Sequence, residues 1–175
     1  MRKGLNKMEK KKIEDRAEKV LAAINYDSSE AVYVDAVLLA RFFGFTVDES
    51  NKLPATEDGC VTVSEDGTSK NILVNDARSF ESKRFIIVHE LAHYLLHYMG
   101  TGTFFRHREN IKGKSNEEND ADYLAACLLM PAASFKNQYN LLKKGRSHAG
   151  TAIELQRRFR TPLESVERRI DEVCR

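Results

Sequence analysis

The stretch RFIIVHELAHYLLHY, residues 84–98, decides how this chain folds and what chemistry it can carry. On a helix turning about 100° per residue, Val88, Ala92, Leu95, Leu96 and Met99 fall on one apolar stripe, the mark of a helix that packs on a core. His89 and His93 leave one flank of that stripe a single turn apart, so both imidazoles can reach one ion. Glu90 falls further toward the open side, where a carboxylate can approach a metal-bound water without being a ligand. The pattern His89-Glu90-x-x-His93 therefore reads as two ligands and a general base. His97 continues the series but stands about 12 Å from His89 along the axis, too far to share one ion easily. Leu96 stands where the extended three-histidine form of the motif has glycine, so His97 is read as a residue beside the site or on the surface.

A catalytic zinc takes three protein ligands and keeps one position for water, so a third ligand is sought downstream. The segment SNEENDADYLAACLLMP, residues 115–131, reads as a second helix with Glu118, Ala121, Asp122, Ala125 and Leu129 on one face. Glu118 is placed to complete a His, His, Glu set. Asp122, one turn on, is placed to accept the free ring N–H of a ligand histidine, His89, and so to fix its tautomer. Small side chains at Ala121 and Ala125 let the two helices approach. Two alternatives stay open here: Ser115-x-x-Glu118 also fits a capping box, and Glu117 is a rival ligand that points about 100° away.

Outward from these helices the periodicity sets the rest. Ile13, Ala17, Val20, Leu21 and Ile24 predict an amphipathic helix over residues 8–25, and a second runs from about Asp35 to Phe43 with Gly44 as its stop. FTVDES, GCVTVSEDG and SKNILVND are short and β-branched between turn residues, which predicts a small, mainly antiparallel sheet. The active-site helix is expected from Ser82 to Met99 and the ligand helix from Asn116 to Met130, closed by Pro131. Two or three short helices follow, Thr161-Pro162 opening the last. Helices, sheet, then helices is an α+β order. The expected organisation is one domain over residues 1–175: an N-terminal helix at 1–28, a catalytic core at 30–131 and C-terminal helices at 132–175.

Composition bounds the function. The chain has 175 residues, 42% of them hydrophobic, which excludes disorder along its whole length. A net charge of +2 supplies no large electrostatic attraction for nucleic acid or anionic lipid. No apolar run is long enough to span a membrane, and no apolar stretch follows the basic start, so neither an anchor nor a secretory signal is expected. Cys60, Cys127 and Cys174 are odd in number and form no CxxC pair, which places the chain in a reducing cytoplasm. The segment from Ala149 to Val173 loosely suggests a helix-turn-helix. Residues 161–175, however, set three arginines against four acids, so packing helices without direct nucleic-acid binding are expected.

Arg84-Phe85, HELAHYLLH at 89–97 and Glu118-x-x-Ala121-Asp122-x-x-Ala125-Ala126-x-Leu128-Leu129-Met130-Pro131 together resemble the ImmA/IrrE family of zinc metallopeptidases. The likeness spans roughly residues 30 to 170. The chain departs from the family pattern at Ala92, usually glycine, at Leu124, usually phenylalanine, and at Asp122, often asparagine. The resemblance implies a zincin-like arrangement in which His89, His93 and Glu118 bind zinc and Glu90 is catalytic. It also implies a protein substrate of the helix-turn-helix repressor type, since members encoded in bacteria and mobile elements relieve repression by cleaving or acting on such repressors.

The expected activity is that of a zinc-dependent endopeptidase with an anti-repressor role. The alternative is a zinc-containing regulator that binds a repressor partner without cutting it. The substrate is expected to add as a strand along Ser69 to Asp76. A further oxyanion donor is sought among Tyr94, His97, Arg106, His107, Tyr123 and His148.

Overall fold

The computed structural model describes residues 5–27, 31–98, 104–107 and 116–174, with only the backbone described for 98 and 104–107. Helix α1, Lys7–Ala23, starts at Asn6, whose side chain accepts from the backbone N–H groups of Met8 and Glu9 while Glu9 reaches back to the Asn6 N–H. It buries Ile13, Ala17, Val20 and Leu21. Asp35 caps α2, Ala36–Phe42, its side chain accepting from the N–H groups of Val37 and Leu38, and Gly44 at φ +83° ends it in the left-handed region that a β-carbon disfavours.

Strands β1 (Thr46–Ser50), β2 (Gly59–Val63), β3 (Lys70–Asn75) and β4 (Phe104–His107) form one sheet in the order β1-β3-β2-β4. β1 runs parallel to β3, and the other two pairings are antiparallel. This order overturns the expectation that a substrate lies along Ser69 to Asp76. Both sides of β3 are already hydrogen-bonded, so the outer strands are β1 and β4. β4 itself has no counterpart among the expected elements, because its four residues gain their order only by pairing with β2, some forty positions earlier.

Ser79 caps α3, Phe80–His93, which begins two residues before the expected start. The α-helix stops at His93, and residues Tyr94–Tyr98 continue as a π-helical turn. Such turns often sit at functional sites. Helix α3 packs on α2, β2, β3 and α4. Its seat on the sheet is tight at Gly59, where a β-carbon would meet Ile86 Cγ2 at 2.7 Å and Leu73 O at 2.8 Å. Because neighbours surround the helix, Arg84 and every residue from Ile86 to His93 are buried, not one stripe alone. Glu90, expected toward the open side, is 2% exposed.

Helix α4, Asn116–Leu129, lies across α3 and α1. Its last turn, with α5 (Ala132–Leu142), α6 (His148–Phe159) and α7 (Leu163–Val173), encloses a second apolar cluster of Ala126, Met130, Phe135, Leu155, Phe159 and Ile170. Two buried arginines tie the layers. Arg84 donates to Val34 O at 2.8 Å and Arg160 O at 3.0 Å, and Arg169 donates to Met130 O at 3.1 Å and Glu172 Oε2 at 3.3 Å. Arg169, within the segment that suggests a helix-turn-helix, is thus committed to the interior. Among the described residues no helix is long and apolar enough to cross a membrane.

Candidate metal centre

The single helical turn between His89 and His93 brings their rings to 4.6 Å between centroids, nearly perpendicular, with the two Nε2 atoms 3.0 Å apart. Helix α4 supplies Glu118 opposite them. One carboxylate oxygen stands 3.3 Å from His89 Nε2 and the other 3.3 Å from His93 Nε2. The approach is possible because the facing positions Ala92, Ala121 and Ala125 are small and wholly buried. Glu117, the rival, is exposed. The capping alternative is tested only on one side: both oxygens of Glu118 are turned to the histidines, while Ser115 lies outside the described residues.

These donor atoms fit a metal ion. All three lie within 4.8 Å of one another. A tetrahedral ion with bonds of about 2.0–2.1 Å places its ligand atoms about 3.3 Å apart, close to the edges of this triangle. His89 Nδ1 lies 2.9 Å from Asp122 Oδ1, so it donates its ring proton there and leaves the Nε2 lone pair facing His93 and Glu118.

The electrostatics point the same way. Burial opposes a charged ring at His89, but the hydrogen bonds to Asp122 and Glu118, helped by Glu90, outweigh it and lift the pKa to about 9. Burial likewise opposes a charged Glu118, yet its two histidine partners hold it well below the usual carboxylate range. The space between the helices favours a positive charge, which a proton or a divalent ion can supply.

Glu90 sits beside this cluster. Its charge favours the protonated ring of His89 and, together with burial, pushes up the Cys60 thiol of β2. His97, on the π turn, has its ring 5.9 Å from that of His93 and stands outside the three-donor group.

Two of the other candidates for an oxyanion donor have partners elsewhere. Tyr123 donates to Glu14 of α1 at 2.6 Å, and Tyr94 accepts from Lys70 at 2.9 Å. His148 is exposed at the start of α6. The side chains of Arg106 and His107 lie outside the described residues.

One neighbour of the centre went unseen in the sequence. Arg168 of α7 stands 3.7 Å from Asp122 Oδ2. No local motif announces it, since the contact joins helices 46 positions apart.

The sequence model of the Peptidase M78 family, described as the IrrE N-terminal-like domain, matches residues 33–171. No curated protein matches the chain. Among solved structures the fold is similar to that of a Mycobacterium tuberculosis transcriptional regulator, with a TM-score of 0.58 at 18% identity. The alignment covers 91% of this chain and 46% of that one, so the chain spans about half the length of that protein.

Proposed function

The chain belongs to the Peptidase M78 family of IrrE N-terminal-like domains, and from that premise we propose that it is a zinc-dependent endopeptidase acting on a protein substrate in the cytoplasm. The observation that carries this reading is the convergence of His89, His93 and Glu118 from two helices on one buried point, with Glu90 next to it. In this reading His89, His93 and Glu118 hold the ion, and Asp122 fixes the His89 ring. A bound zinc would supply Lewis acidity, both to activate water at neutral pH and to polarise the scissile carbonyl. Glu90 takes the proton of the attacking water and hands it to the leaving amine. Its burial suits that work, because a carboxylate shielded from bulk solvent keeps its proton for the reacting atoms.

The substrate class is a helix-turn-helix repressor, supported by the family resemblance. Metal analysis of the purified protein should give about one zinc per chain. Glu90→Gln should retain that zinc and lose cleavage of a co-purified repressor, by a factor on the order of 10³ or more. Retention of full cleavage would remove the general base. Binding of the repressor with no cleavage by either form would favour the alternative, a zinc-containing regulator that acts by capture.

A further inference from the structure

We propose that Arg168 is a positioning residue for the metal centre, setting from α7 the orientation of Asp122 and through it the hold of His89 on the ion. The proposal rests on the metallopeptidase reading for the presence of that ion. Asp122 has a side chain only 7% exposed and divides its two oxygens. Oδ1 takes the His89 Nδ1–H at 2.9 Å, and Oδ2 is turned to Arg168 Nη1 at 3.7 Å. A cation facing the second oxygen restrains rotation of the carboxylate about its last bond. At 3.7 Å the contact is charge to charge, or bridged by one water, and both forms hold the orientation.

The guanidinium is itself steered. Its second arm, Nη2, reaches Glu164 Oε1 at 3.1 Å, one turn back on the same helix. Val166 and Ile170, wholly buried in the second apolar cluster, fix the roll of α7. Asp122, Arg168 and Glu164 line one cavity of about 300 Å³ together with Asp58 and Arg78. There Arg78 is engaged by Asp58 at 2.8 Å, and Arg168 faces Asp122. Arg168 is half exposed, so it can be replaced without opening the core.

The test compares Arg168→Ala, Arg168→Lys and Glu164→Gln in the full chain, each with Asp122 intact and in an Asp122→Asn background. The readouts are zinc affinity by chelator competition, the visible spectrum of the cobalt-substituted protein, and thermal melting of the metal-free protein. Removing a direct outer partner of a ligand lowers metal affinity about 10- to 100-fold. Arg168 acts one step further out, so Arg168→Ala should weaken zinc about three- to tenfold and shift the cobalt bands. Arg168→Lys should restore most of this, and Glu164→Gln, which keeps an acceptor oxygen for the guanidinium, should weaken nothing. In the Asp122→Asn background the effect of Arg168→Ala should vanish, the signature of action through Asp122.

Equal losses in both backgrounds, or a lowered melting temperature with zinc affinity unchanged, overturn the proposal. Should Asp122→Asn fail to fold, Arg168→Glu replaces it: reversal of the charge must weaken zinc more than Arg168→Ala does, and equal affinities refute the role. A wild-type protein that takes up no zinc overturns the metallopeptidase reading and this inference with it. Tight wild-type binding that Arg168→Ala leaves unaltered overturns the inference alone.

Discussion

Two sets of buried polar groups among the described residues are built on opposite rules. Arg84 and Arg169 are cations sunk in the interior with their N–H groups set against acceptors: the carbonyls of Val34, Arg160 and Met130 and the carboxylate of Glu172. Donor meets acceptor, and the account closes within the chain. Between α3 and α4 the arrangement is reversed. Two imidazole Nε2 atoms and a carboxylate face one another at 3.0–3.3 Å, an arrangement that one cation bound by all three reconciles. Buried polarity that satisfies itself is scaffolding; buried polarity that calls for a positive guest is a site.

The sharpest way to break this comparison is to exchange the consequences. Glu118→Ala should lower zinc affinity more than about 100-fold, beyond the range for an outer partner, as measured by chelator competition. Arg169→Ala should leave zinc affinity nearly unchanged and instead destabilise the fold by about 3–5 kcal/mol in urea unfolding, because it strands Glu172 and the Met130 carbonyl. A large loss of zinc in Arg169→Ala would erase the distinction.

A third test uses pH. His89 in the metal-free protein has its pKa raised from 6.5 to about 9. Its contribution to stability is therefore complete below about pH 6.5 and is lost as pH rises through about 9. Melting temperatures of the metal-free protein should fall across that window. Zinc affinity should rise across the same window, by at most about tenfold per unit, because the ion displaces the proton. A metal-free melting curve independent of pH between 6.5 and 9 would place the proton elsewhere. The smallest effect belongs to Glu117→Ala, which should leave zinc affinity within about twofold and stability within about 0.5 kcal/mol, as for an exposed residue outside the donor group.

What can be read along the chain and what cannot follow from the range of the forces involved. The helices α1 to α4 are legible because capping side chains, apolar spacing and glycine stops act within a few residues. The facing of Glu118 toward His89 and His93 is legible from two faces each written in a single helix, with Ala121 and Ala125 marking close approach. The position of β3 inside the sheet is not, since strand order depends on pairings from Thr46 to His107. β4 is hidden for the same reason. The burial of Glu90 escapes a helical wheel because a wheel shows one helix and not the sheet and helices around it. Arg168 escapes because its partner is chosen by the packing of α7, not by anything in its own neighbourhood.

Gly59 carries a consequence for how this centre tolerates change. Thirty positions before the first histidine, it sits where the sheet and α3 come within a methyl group of each other, Ile86 filling the gap. Helix α3 is thus seated like a shaft in a close bearing: a single added carbon on the sheet should shift His89, Glu90 and His93 together against Glu118. A Gly59→Ala form that folds should therefore keep all three donors of the candidate centre and hold them in an altered geometry.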